Sequence, residues 1–479
     1  MRWVGLTIII LAIPLFVALL GGSVQRRNWA MIMLGVLVFI VGFRAPEAAI
    51  YVWPAWQGIA KGVFVTLADS IAIALLVTRP PGRYRTVFMP AFLFYFLMLA
   101  VSFIPSINKA ATLFVAVQFL QMLILFVAVA GELQRPEAVR SLLKGLSIGL
   151  MYQAAYVIRA KLGGAVQASG TLGHQNILGM MVELALVPLA AAVLEGERNK
   201  LIYAGVVAGG ICVAGTGSRG TMGFVALALV LLVLLSLLRN ATRRKWQMLG
   251  AGTLVAAVIV PLSLATLTER FGSASFSFEE TARITLARAA VAMAADHPLG
   301  VGANNFVTVS NVGGYLTRAG EMQTQATSAR PAHNAYLVAR AETGWGGEIA
   351  LIAIMVTLVG GGMVVAFRYR RVPEAGIALG ASVAVLAVAL HSQYEYAWHT
   401  TDVQRLFFID AALIVGLLAI ARKRRASPAS AGRPPARKAR GGRVERPSPA
   451  PDLPASAAPA EMVPPPGGSA GERLPRKRP

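Results

Sequence analysis

The chain has 479 residues, 56% of them hydrophobic and only 14% charged, with a positive mean hydropathy, which excludes a water-soluble globule of ordinary surface composition. A formal net charge of +23 would suit nucleic acid, but 14 Lys and Arg against 4 Asp and Glu sit between Arg422 and Pro479, and much of the rest lies in short gaps between apolar runs. Membrane topology accounts for that distribution and nucleic-acid binding does not.

A bilayer core takes roughly 20 apolar residues per helix. The chain opens with Arg2 and an apolar run from Val4 to Leu20. No small-residue cleavage site follows convincingly and Gln25-Arg26-Arg27-Asn28 leads straight into another run, so a retained first helix is expected. Further apolar runs fall at about 29–43, 62–78, 87–103, 111–130, 142–158, 176–194, 201–214, 221–238, 248–266, 345–367, 376–390 and 405–421. The expectation is an all-α polytopic membrane protein of about 12–13 transmembrane helices with one large loop containing short helices. The single cysteine, Cys212, lies within an apolar run beside Gly209 and Gly210, so it reads as packing and no disulfide framework exists.

The gaps alternate in character. Arg26 and Arg27, Arg79 with Arg83 and Arg85, Arg135 with Arg140 and Lys144, Arg198 and Lys200, Arg239 with Arg243 to Lys245, and Arg368 with Arg370 and Arg371 make every second gap basic. The positive-inside rule assigns those gaps to the cytoplasm and puts 44–61, 104–110, 159–175, 215–220, 267–344 and 391–404 outside. Four domains follow: N-terminal transmembrane helices at 1–266, a loop domain at 267–344, C-terminal transmembrane helices at 345–421, and a tail at 422–479. The tail carries 13 of the 26 prolines and is expected to be disordered, basic and cytoplasmic, in contact with anionic lipid.

Three polar islands stand on the expected outer face. The first, Gly215-Thr216-Gly217-Ser218-Arg219-Gly220-Thr221, is a tight turn before a long apolar helix. Glycines expose backbone N–H groups, a helix N-terminus follows, and Arg219 offers a planar fork of donors, which together suit phosphate. An ordinary turn with a snorkelling arginine fits the same residues. The second runs from Thr281 through Arg283 and Arg288 to Asp296-His297-Pro298, then Gly300-Val301-Gly302-Ala303-Asn304-Asn305-Phe306. Its helix ends at a Pro and Gly break, and Arg283 and Arg288 lie about 140° apart on it, so both cannot face one phosphate squarely; a solvated amphipathic helix is the competing reading. In the third, Arg330 to Gly344, a helix over Ala332 to Glu342 puts His333, Tyr336, Leu337 and Arg340 on one face. A neutral imidazole at the water boundary can take a proton from a hydroxyl at neutral pH; an interfacial polar anchor is the alternative.

Ser218, Arg283, Arg288, Asn305 and Asn334, with His174 in Gly173-His174-Gln175-Asn176, are candidates for contact with a polar substrate. Lesser candidates are His391, Tyr394, Glu395, Tyr396, Trp398 and His399, whose aromatics fit an interfacial belt as well as sugar stacking. Glu183, inside an apolar run, is expected to face a partner or a cavity. The five histidines have no tight metal-ligand spacing and no paired carboxylates accompany them, so no metal and no cofactor are expected.

In this order the islands resemble the O-antigen ligase and polymerase family of membrane glycosyltransferases. The resemblance rests on Gly217-Ser218-Arg219-Gly220 before a long helix, Arg283 ahead of Pro298 and Gly300-x-Gly302-x-x-Asn305-Phe306, and His333-Asn334-x-x-Leu337 with Glu342-x-Gly344. Many relatives have a tryptophan four residues after the loop arginine, where this chain has Ala287. The resemblance implies a metal-independent, inverting glycosyltransferase of the inner membrane with a large periplasmic loop. Its donor would be an undecaprenyl-diphosphate-linked glycan, and its acceptor a lipid A core sugar ahead of a growing polysaccharide or a protein. Arg219 would bind the diphosphate, Arg283 would assist it, and His333 would be the general base. Polymerase and protein oligosaccharyltransferase use similar motifs. A transporter or flippase is the rival of another class, and the absence of an evident inverted repeat counts against it.

Overall fold

A computed structural model describes residues 2–40, 47–52, 56–79, 87–250, 252, 274–320 and 330–426. The protein is an all-α polytopic membrane protein, with 77% of the described residues in helix. In chain order come α1 (Arg2–Leu20), α2 (Val24–Leu37), a hairpin of β1 (Glu47–Val52) and β2 (Gly62–Thr66), α3 (Leu67–Val77), α4 (Met89–Val101), α5 (Lys109–Glu132), α6 (Pro136–Leu162), α7 (Gln175–Leu194), α8 (Lys200–Thr216) and α9 (Arg219–Arg239). Then follow α10 (Ala274–Asp296), α11 (Phe306–Val312), α12 (Tyr315–Arg318), α13 (Ala335–Arg368), α14 (Glu374–His391), a 3-10 turn at Ala397–His399, and α15 (Thr401–Ala426).

Among the described residues α5, α7, α9, α13, α14 and α15 are long and apolar enough to cross a membrane. Burial sorts them. The apolar windows of α7 and α15 are 89% buried against 28% for α9, so α7 and α15 form the centre and α9 presents most of its surface outward. Apolar side chains at nearly every position of α7 allow this, because a helix apolar all round can be enclosed by its neighbours. It packs on α8, α9 and α14, while α15 packs on α5 and α14.

Several expected boundaries move. The run at 62–78 is divided: Gly62 to Thr66 pairs as a strand with 47–52, and the helix begins only where Thr66 and Asp69 form a reciprocal capping box. The helix expected from Ala332 starts at Ala335, because Asn334 is extended and its Oδ1 accepts from Tyr336 N and Leu337 N at 3.0 Å. His333 therefore lies before the helix and not on its face. At the far end α15 carries Arg422 to Ala426 as helix, its cations beside the negative end of the dipole. The rest of the expected tail, 427–479, lies outside the described residues, as do 321–329 of the loop and most of the run at 248–266.

The bundle has two chemically distinct ends. At one, the basic gaps interlock: Arg27 and Arg135 hold Glu132, Arg239 Nη1 and Lys245 Nζ each stand 2.7 Å from Glu195, and Arg424 pairs with Glu374. The six gaps expected outside meet at the other. Asn304 exchanges hydrogen bonds with Ala60, Asn305 with Asn108, Ala168 N donates to Gly215 O, and Ala335 N donates to Ser392 O.

Candidate functional site

The segment between α14 and α15 is pinned to the start of α13, where Ala335 N donates to Ser392 O at 2.8 Å and His399 Nε2 donates to Ala335 O at 2.9 Å. Trp398 is fully buried beneath it. This holds Glu395, itself buried, where three elements converge. Asn176 Nδ2 at the start of α7 donates to Oε1, Arg283 Nη2 from α10 lies 3.3 Å from Oε1, and His333 Nδ1 lies 3.3 Å from Oε2. Burial pushes the Glu395 carboxyl up, but the His333 hydrogen bond and the charges of His333, Arg283 and His391 outweigh it and hold the group below the usual carboxylate range. An ionised carboxylate only accepts hydrogen bonds. The His333 nitrogen facing it therefore carries a proton, and in the neutral form of the half-buried ring Nε2 is the acceptor.

The glycine turn is built against this set. Gly217, at φ 57°, ends α8 in the left-handed conformation, and Ser218 caps α9 by accepting from Thr221 N at 3.3 Å. Arg219 is the first residue of α9, so it stands at the helix's positive end. The turn has no slack toward α14: a Cβ on Gly220 would lie 2.8 Å from His391 Nε2. His391 in turn makes a 2.7 Å hydrogen bond to Glu183 within the bundle and stacks on Phe224 at 4.9 Å.

The Gly-x-Gly-x-x-Asn-Phe run does different work. Gly300 and Gly302, at φ 79° and 94°, let the chain pass against α13, where Val301 N donates to Ala341 O and Gly302 N to Glu342 O. Glu342 Oε1 then accepts from Phe306 N at 3.1 Å at the start of α11. Asn305 is fully buried and its amide is engaged by Ser106, Asn108, Thr112 and Ala303.

The fold thus brings together His333 and Arg283 through Glu395, with His174 beside them as the α7 cap whose Nδ1 accepts from Asn176 N at 3.2 Å. Ser218 and Arg219 join through Gly220 and His391. Asn334 is next to His333 and serves as the α13 cap. Arg288 is exposed on α10, and Asn305 stands apart in the packing of the loop on 102–112. Arg340 leaves the His333 face, pairing with Glu348 and stacking 4.0 Å over Trp345. Glu395 as the hub and Asn176 as its partner were not legible as such; the one signal was a carboxylate in an expected outer gap that also holds two histidines. Among the described residues no group of three or more His, Cys, Asp or Glu is arranged to hold a metal ion. Chemically, a carboxylate-oriented imidazole can take a proton, and adjacent guanidinium and helix N-terminus can hold an anion.

Residues 204–352 match the family model described as O-antigen ligase. That stretch contains Ser218, Arg219, Arg283, Arg288, Asn305, His333 and Asn334, and leaves out His174 and Glu395. No curated protein matches the chain.

Proposed function

This chain is a member of the O-antigen ligase family, and on that premise we propose that it transfers a glycan from an undecaprenyl-diphosphate carrier to an acceptor hydroxyl, a lipid A core sugar first among acceptors. The observation that carries this reading is the meeting of His333 and Arg283 on Glu395, beside the Arg219 turn, at the end of the bundle that gathers the six gaps poor in basic residues. By the positive-inside rule that end is periplasmic and the basic end cytoplasmic.

The acceptor oxygen attacks the anomeric carbon while His333 Nε2 takes the hydroxyl proton. The bond from that carbon to the diphosphate oxygen breaks, and its electron pair leaves with the lipid diphosphate. Arg219, Arg283 and the α9 N-terminal N–H groups stabilise the charge that develops there, the task that cations commonly perform in phosphate departure. Direct displacement inverts the anomeric centre. Glu395 keeps the imidazole in the tautomer the step needs and stabilises the imidazolium that forms.

The test is purified protein with a synthetic lipid-diphosphate glycan and a core oligosaccharide acceptor. His333→Ala and Arg219→Ala are each expected to cut turnover by at least about 100-fold, the scale of losing a general base or a principal charge-stabilising donor, while elution and melting stay normal. Turnover is expected to survive a chelator. Full activity in either variant, or loss of activity in chelator, would overturn the assigned roles. A deletion strain separates the neighbouring activities: core without polymer for a ligase, core with single repeats for a polymerase, lipid-linked units retained inside for a flippase.

A further inference from the structure

The pair Glu183 and His391 has no part in the steps above, yet it lies directly behind them. Neither residue has an ordinary reason to be there, since an acid and an imidazole inside a helical bundle persist only with a partner or a task. Each is enclosed, at 0% and 1% side-chain exposure, and they meet through a 2.7 Å hydrogen bond from α7 to α14. A face of the imidazole stacks on Phe224 of α9. With one nitrogen held by Glu183 and the ring plane held by Phe224, Nε2 is a fixed surface, and it is that atom which a Cβ on Gly220 would meet at 2.8 Å.

Gly220 directly follows Arg219. On the next residue the same closeness recurs from another side: Thr221 is fully buried, and its side chain occupies the space a Cβ on Gly179 of α7 would need. The first turn of α9 is thus wedged between α7 and the His391 ring. His391 is also near enough to Glu395 and Arg283 to interact with their charges, so a single imidazole abuts the arginine turn on one side and the set around Glu395 on the other.

We propose that His391, held by Glu183, is a positioning residue that sets where the Arg219 turn stands relative to His333 and Arg283, and so fixes the distance between the diphosphate cradle and the base. This rests on the transfer reaction proposed above. A misplacement of about 1 Å between reacting groups costs on the order of 100-fold in rate, so small changes at 183, 220 or 391 should act on catalysis without any of these residues touching substrate.

The experiment uses the full-length protein in detergent with the synthetic lipid-diphosphate glycan, measuring kcat and the KM of donor and acceptor separately. Gly220→Ala is expected to lower kcat over donor KM by about 100-fold and to leave acceptor KM within twofold. Glu183→Ala should do the same more weakly, whereas Glu183→Gln, which retains a hydrogen-bonding atom at each terminal position, should stay near the parent. The double variant Gly220→Ala with His391→Ala should be more active than Gly220→Ala alone, because removing the ring makes room for the methyl. Elution and melting temperature of each variant read folding separately, and a defect of folding alone would appear there and would not confine the loss to the donor term. Absence of recovery, or an unchanged donor term in Glu183→Ala and Gly220→Ala, overturns the positioning role while leaving the transferase standing. No transfer by the parent protein overturns the transferase, and the positioning role with it.

Discussion

Glu395 is asked to be charged by everything that touches it: an amide N–H, a guanidinium and an imidazole N–H all donate toward it. Glu395→Gln keeps the shape and removes the charge, and kcat is expected to fall by at least about 100-fold, since replacing the carboxylate that sets a general-base histidine's tautomer costs up to about 10⁴-fold. The stability effect has a defined sign. A carboxyl whose folded pKa is depressed contributes stability above its unfolded value of about 4.3, and loses it as pH falls through the folded value. Melting curves should therefore separate parent from Glu395→Gln at pH 7 and draw together as pH falls from about 4.3 through the lower folded value. His399 behaves in a second window. Burial lowers it to about 4 despite its hydrogen bond to Ala335 O, so the folded state refuses a proton that the unfolded chain accepts near 6.5. Stability is expected to drop by about 3 kcal/mol between pH 6.5 and 4, and His399→Gln should flatten that slope. His333 and the arginines could be singled out from the sequence because cations and imidazoles are out of place beside hydrocarbon. Glu395 stood out only as a lesser candidate and its part as a hub did not, because its three partners lie 62, 112 and 219 residues away.

The decisive element is α13, which is not one continuous helix. Gly344 interrupts it at φ 70° and ψ −176°, a conformation open essentially to glycine alone, and a Cβ there would overlap Pro298 O. Gly344→Ala should cost at least about 1–3 kcal/mol and detach the 298–302 segment from α13, seen as a lower melting temperature with loss of transfer. Asn334→Ala removes the cap beside His333 and should cost about 1 kcal/mol, with Asn334→Asp recovering most of it; differential scanning calorimetry or denaturant titration checks both. The helix over 281–295 was legible from its spacing and its Pro and Gly stop. The start of α13 was not, because apolar periodicity runs through Ala332 and only the cap at Asn334 marks where helical backbone begins. Likewise Gly300, Gly302 and Glu342 stand out as a pattern, yet their role in tying the loop to α13 depends on which carbonyls they meet.

At the scale of the whole molecule, the alternation of basic gaps predicts an orientation that labelling can check. In a Cys212→Ala background, a cysteine at exposed position 297 should react with an impermeant maleimide in cells whose outer membrane alone is permeabilised, and one at exposed position 371 only after the inner membrane is opened. The reverse pattern would refute the periplasmic site. The sequence by itself determined the membrane class, the run of apolar helices and the two-ended distribution of charge, and it singled out the residues proposed to hold phosphate or take a proton. These are properties of composition and of periods within one helix, and they survive without knowledge of neighbours. Only the tertiary structure decided that His333 and Arg283 share one buried carboxylate, that Arg288 stays exposed while Asn305 is spent on packing, and that His391 stands behind Gly220. Helices in a bundle choose their neighbours by close packing across the whole chain, and no local spacing records which residue will face which.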